Sequence, residues 1–89
     1  ELYEKGQFDA AIVATADFQH ATHCIEAVTA GKDAYVEKPF AESMEDNRNA
    51  YKAVRQSKKI VQIGTQRRSA SNYAKAHEFI KSGKFGEIT

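Results

Sequence analysis

The sequence predicts an α/β fold, half of a doubly wound domain on a parallel sheet, and three observations carry the prediction. Three short apolar runs of strand character alternate with stretches of helical periodicity. The segments joining successive strands are too long for hairpins, which leaves parallel pairing with right-handed crossovers. Each strand run also ends in a polar cluster: Thr15-Ala16-Asp17, Glu37-Lys38-Pro39 and Thr65-Gln66-Arg67-Arg68. In a parallel sheet these exits share one edge, the edge where ligands bind.

Residues 9–15 (Asp-Ala-Ala-Ile-Val-Ala-Thr) read as the first strand, an apolar run bounded by polar residues, as expected of a strand covered on both faces. From about Phe18 to Ala30, apolar side chains recur at Ala21, Cys24, Ile25 and Val28, one face of a helix that Gly31 terminates. Ala34 to Glu37 form the second strand. A buried strand has no structural use for opposite charges at its last positions, yet Glu37 and Lys38 stand there. Pro39 ends the ladder and disfavours a helical conformation at the residue before it, so Lys38 is expected to be extended.

Ser43 then offers an N-cap, with Asp46 as a shortened capping-box partner and Glu45 favourable to the helix dipole. Asn47, Ala50, Tyr51 and Val54 predict that helix's inward face, and Lys58 and Lys59 suit its C-terminus. Ile60-Val61-Gln62-Ile63-Gly64 reads as the third strand. Tyr73, Ala76, His77 and Ile80 mark the face of a last helix ended by Gly83, with His77 expected in a core or interface. Glu1 reads as part of a helix tail and Gly86 to Thr89 as the opening of a strand, so both ends look cut.

Composition narrows the function. With 13 Lys and Arg against 12 Asp and Glu, no basic field argues for nucleic acid. No apolar run approaches the roughly 20 residues of a membrane span. Cys24, the single cysteine, has no partner for a disulfide or a CxxC metal site and reads as a small core hydrophobe. The three histidines are too scattered to suggest zinc. A G-x-S-x-G elbow and a P-loop are both missing from the sequence, which removes support for hydrolase and nucleotide triphosphatase readings.

The convergent edge has a definite chemistry. Thr15 offers a hydroxyl, Asp17 and Glu37 can accept from ribose hydroxyls, and Lys38, Arg67 and Arg68 can meet anionic or polarised oxygens. His20, in the first turn of the helix after Thr15, is near enough to face a ligand there, whereas His23 lies a turn further along. The alternative is that these are merely solvated residues at strand exits. A ligand rich in hydroxyls and phosphates suits the edge.

Read in order, Asp9 to Thr15, Asp17, His20, the run Ala30-Gly31-Lys32-Asp33-Ala34-Tyr35-Val36-Glu37-Lys38-Pro39, and Gln62 to Arg67 closely resemble the glucose-fructose oxidoreductase and inositol dehydrogenase family (Gfo/Idh/MocA). The resemblance spans nearly the whole chain. It implies the second half of a doubly wound parallel Rossmann sheet, with residues 1–89 running into the start of a substrate domain at about 86–89 and that domain missing. It also implies an NAD or NADP cofactor and a small-molecule sugar, inositol or related polyol as substrate. Neither nucleic acid nor a membrane is implied as a partner, and a homo-oligomer would form through the missing domain.

By the same resemblance, Thr15, Ala16, Asp17 and His20 lie along the cofactor, Glu37 and Lys38 sit by the nicotinamide ribose, and Gln66 and Arg67 line the pocket. Lys38 is the implied catalytic residue, reaching the carbinol or carbonyl oxygen. Hydride transfer from a carbinol needs a proton removed and negative charge stabilised on oxygen, and an ammonium does the second directly. The chain departs from the family where Ala16 replaces a usual proline and Phe18-Gln19 stands before His20. Neither the glycine-rich pyrophosphate fingerprint nor the acidic residue that follows it is in this sequence, so the 89-residue chain alone is expected to bind cofactor weakly and to be inactive. A second reading is a non-catalytic dinucleotide-binding or sugar-sensing regulator of the same fold.

Overall fold

The computed structural model describes residues 2–88. Along the chain come α1 (Leu2–Lys5), β1 (Ala10–Val13), a 3₁₀ turn (Asp17–Gln19), α2 (His20–Thr29), β2 (Asp33–Glu37), α3 (Met44–Ser57), β3 (Val61–Gly64), a second 3₁₀ turn (Gln66–Ser69) and α4 (Ser71–Lys81). The strands form one sheet in the order β1-β2-β3. Both pairings are parallel, with Val13 beside Val36 and Glu37 beside Gly64, so the three exits do lie along one edge.

Strand alternation sorts the side chains between the two faces. Val13, Ala34 and Val36 point into a buried cluster with Cys24, Ala27 and Val28 of α2, and Ala53 and Val54 of α3 pack against it. Small side chains at Ala27 and Ala50, both fully buried, let the helices approach closely. Cys24 is a free, buried thiol in this core, and burial pushes its pKa up. The helices α2 and α3 supply one layer. The first strand is therefore not covered on both faces by the described residues, and Ile12 on the far side is 79% exposed.

Local chemistry explains the element ends. The helix expected from Phe18 begins instead as a 3₁₀ turn, because no side chain caps it and Gln19 N–H donates to the Ala16 carbonyl at 2.8 Å. Gly31, at φ 75°, takes the left-handed conformation that closes α2. Ser43 caps α3 as predicted, its hydroxyl oxygen accepting from Asp46 N–H at 3.0 Å. The aspartate is too short to reach back to the cap's own N–H, and its carboxylate accepts the Ser43 hydroxyl at 2.7 Å instead. The Lys38–Pro39 peptide bond is cis.

Two predicted faces differ. The inward face of α3 is Ala50, Ala53 and Val54, whereas Tyr51 and Asn47 are exposed. The helix packs through its small residues, and the larger Tyr51 ring is turned outward. All of α4 is exposed, including His77, because α4 packs chiefly onto the second 3₁₀ turn and contacts no described strand or helix of the core extensively. Residues 86–88 form no strand, and Glu1 and Thr89 lie outside the described residues.

Candidate functional site

The parallel register sets the three exits side by side, and two side chains tie them together. At the end of β2, Glu37 follows the buried Val36 and so projects on the face away from α2 and α3. Its Oε2 accepts from the Lys38 N–H at 3.0 Å. Its Oε1 accepts from the Gln66 side-chain amide at the exit of β3. The Lys38 N–H, then the Gln66 amide, hold the Glu37 carboxyl below the usual carboxylate range, with smaller help from the charges of Lys38 and His20.

Gly64 makes that pairing possible. A Cβ at this position would lie 3.0 Å from the Tyr35 hydroxyl oxygen, 3.2 Å from Gln66 Nε2 and 3.2 Å from Glu37 Oε1. The place is already filled by the polar ends that build the site. The only sequence signal for it was a glycine at a strand end, a common mark of close approach by another group.

His20 ties the first exit to the second. Its Nε2 is 3.1 Å from the Thr15 carbonyl oxygen and its Nδ1 is 2.6 Å from the Pro39 carbonyl oxygen. The ring is only 1% exposed. It is therefore enclosed beneath the edge rather than open to a ligand, as the reading of its position in the first helical turn had suggested. His23, which sequence reasoning placed further from the edge, is within 3.1 Å of the Thr15 hydroxyl through Nδ1. Its separation of eight residues from Thr15 reflects the 3₁₀ turn between them, which the sequence pattern did not reveal.

The remaining site residues face outward. Thr15, Ala16, Asp17, Lys38, Gln66, Arg67 and Arg68 are all exposed. Lys38, Gly64, Thr65, Gln66 and Arg67 line one depression at the edge. The Lys38 ammonium has no hydrogen-bond or ion-pair partner among the described residues. No group of three or more His, Cys, Asp or Glu among the described residues could hold a metal.

This donor set fits a ligand rich in hydroxyls and electron-rich oxygens, such as a dinucleotide. Each Glu37 oxygen accepts one protein hydrogen bond and keeps a lone pair for a ribose hydroxyl, while the cations beside it suit electron-rich oxygens. A parallel sheet carrying such groups at its carboxyl-terminal edge defines a dinucleotide-binding α/β unit.

Comparison with known proteins identifies the family. Residues 1–65 match the model of the Gfo/Idh/MocA oxidoreductase family, described as an NAD-binding Rossmann fold, and the chain belongs to that family. It is 34% identical over 87 residues to scyllo-inositol 2-dehydrogenase (NAD(+)) of Bacillus subtilis (strain 168), covering 98% of this chain and 25% of that protein. The fold superposes on the WlbA dehydrogenase of Bordetella pertussis in complex with NADH and UDP-GlcNAcA with a TM-score of 0.86, at 29% identity over 98% of this chain and 25% of that one. The apo scyllo-inositol dehydrogenase of Lactobacillus casei gives a TM-score of 0.83 at 26% identity, over 99% of this chain and 26% of that one. The chain thus spans about a quarter of the length of the relatives it matches.

Proposed function

We propose that this chain forms the nicotinamide side of the cofactor cleft in an NAD(P)-dependent oxidoreductase acting on a sugar, inositol or related polyol. In that reading residues 1–89 are the second half of the dinucleotide-binding domain and lead into a substrate domain at about 86–89. Homo-oligomers would form through that further domain. The observation that carries the reading is the Lys38 ammonium, without a partner among the described residues, at the middle exit of three that Glu37, Gln66 and His20 bind to one another.

When bound, the nicotinamide would accept or return the hydride at the carbinol carbon. The chain's own groups would bind the cofactor and hold the reacting oxygen, and the carbinol proton would pass to a base outside this chain. Glu37 would receive a ribose hydroxyl, held ionised by the Lys38 N–H and the Gln66 amide. Thr15, Ala16 and Asp17 would run along the cofactor, and Gln66 and Arg67 would border the substrate pocket. The Lys38 ammonium would hydrogen-bond the reacting oxygen and stabilise the charge that develops on it.

The test is Lys38→Ala in the intact protein, assayed with NAD+ and NADP+ against a panel of inositols and sugars. Turnover is expected to fall about a hundredfold or more, the scale of a positioned acid, base or oxyanion group. NADH binding should persist. Wild-type turnover in Lys38→Ala would remove Lys38 from the chemistry, and a wild-type protein inert toward the whole panel would overturn the substrate class.

A further inference from the structure

His20 is the one buried polar side chain among the described residues, whose other buried side chains are apolar. Taking an imidazole out of water is costly unless its nitrogens are hydrogen-bonded. A phenylalanine or leucine would fill the same volume without that cost. What the imidazole adds is its two contacts, and both fall on main-chain carbonyls at strand exits, Thr15 at 3.1 Å and Pro39 at 2.6 Å. These carbonyls belong to segments 24 residues apart in the chain, and among the described residues no backbone hydrogen bond joins the two segments beyond the sheet's last pairing, Val13 with Val36.

We propose that His20 is a positioning residue, whose ring, with a proton on each nitrogen, donates to both the Thr15 and the Pro39 carbonyl and so sets where Lys38 stands. The inference rests on the function proposed above, because the placement of Lys38 matters only if Lys38 acts on the substrate. Lys38 is then held from both sides. Its own N–H donates to Glu37 at 3.0 Å, and the carbonyl that follows it, at Pro39, is held by His20. With the backbone fixed fore and aft, the flexible side chain starts from a defined point at the middle of the edge. Removing the ring's donors frees the Pro39 carbonyl and lets the segment carrying Lys38 move relative to Thr15 and the cofactor beside it.

The experiment is a double-mutant cycle in the intact protein, using the panel substrate that the wild type oxidises fastest. His20→Phe keeps a ring but no donor, and His20→Gln keeps an amide N–H group that can reach one of the two carbonyls. His20→Phe is expected to lower kcat about tenfold to a hundredfold, the scale of a misplacement near 1 Å, with NADH affinity unchanged. His20→Gln should recover part of the loss and also serves if the phenylalanine variant folds poorly. In the Lys38→Ala background either change should add almost nothing, because His20 acts through Lys38. Wild-type kcat in both His20 variants, or an equal loss with and without Lys38, overturns the positioning role while leaving the function intact. Full turnover in Lys38→Ala alone removes Lys38 from the chemistry and overturns the positioning role with it, whereas a wild-type protein inert toward the whole panel overturns the function itself.

Discussion

At Glu37 a single carboxylate connects two strand exits, and its titration exposes that connection to measurement. Its pKa is lowered in the folded protein by the Lys38 N–H and the Gln66 amide, so the folded state binds its proton less readily than the unfolded chain does. The resulting stabilisation is fully present above the ordinary glutamate range and is lost as pH falls through the lower, folded value. Glu37→Gln in the intact protein should therefore be less stable than wild type by a constant margin at neutral pH, and that margin should shrink on acidification. A difference in melting temperature that stays flat down to strongly acidic pH would show that the Gln66 and Lys38 contacts do not favour the ionised form. Glu37 and Lys38 were legible in the sequence because charge at the end of an apolar strand breaks its pattern. The role of His20 was not, since it depends on the Pro39 carbonyl, 19 residues away in the chain, and no local periodicity encodes that meeting.

Whole elements were read well where local chemistry decides them. Ser43 caps α3, Gly31 closes α2 and three alternating strands pair in parallel, each from signals within a few residues. Faces were read less well, because burial depends on what lies opposite: α3 packs through Ala50 and Ala53 rather than Tyr51, and α4 contacts no described strand or helix of the core extensively. The end of β3 shows how an element shapes the site. A Cβ on Gly64 would press on three polar side-chain termini at 3.0–3.2 Å, and such ends move aside more readily than backbone does. Gly64 is buried, but the groups that a Cβ would meet are flexible side-chain ends, so Gly64→Ala is expected to cost about 1 kcal/mol of stability. It should nevertheless weaken NADH binding about tenfold, the equivalent of one hydrogen bond. Calorimetric melting and NADH fluorescence titration on the same intact variant separate the effects, and a large fall in melting temperature with unchanged binding would make Gly64 a packing residue only.

The molecule as a whole is extended, with a radius of gyration of 17.0 Å and principal extents of 55 × 27 × 25 Å. A compact domain of this length would have a radius near 12 Å. The excess comes with a helix, α4, that leaves Tyr73, Phe79 and Ile80 between 40% and 50% exposed. Among the described residues the buried apolar core is eight residues, four of them alanine. So little buried area opposes the conformational entropy of the chain only weakly. The same partition appears in the proposed function: Glu37, Lys38 and Gln66 would stand on the nicotinamide side, but this sequence has no glycine-rich turn to seat a pyrophosphate. The isolated 89-residue chain is therefore expected to unfold at low temperature with a broad transition, to bind NADH too weakly to saturate at millimolar concentration, and to turn over no polyol. Circular dichroism melting, NADH titration and a turnover assay on the purified chain check this together. A sharp, cooperative transition accompanied by NAD-dependent oxidation of any inositol or sugar would mean that the three bound exits suffice for catalysis, and that the rest of the family's architecture supplies specificity rather than the reaction itself.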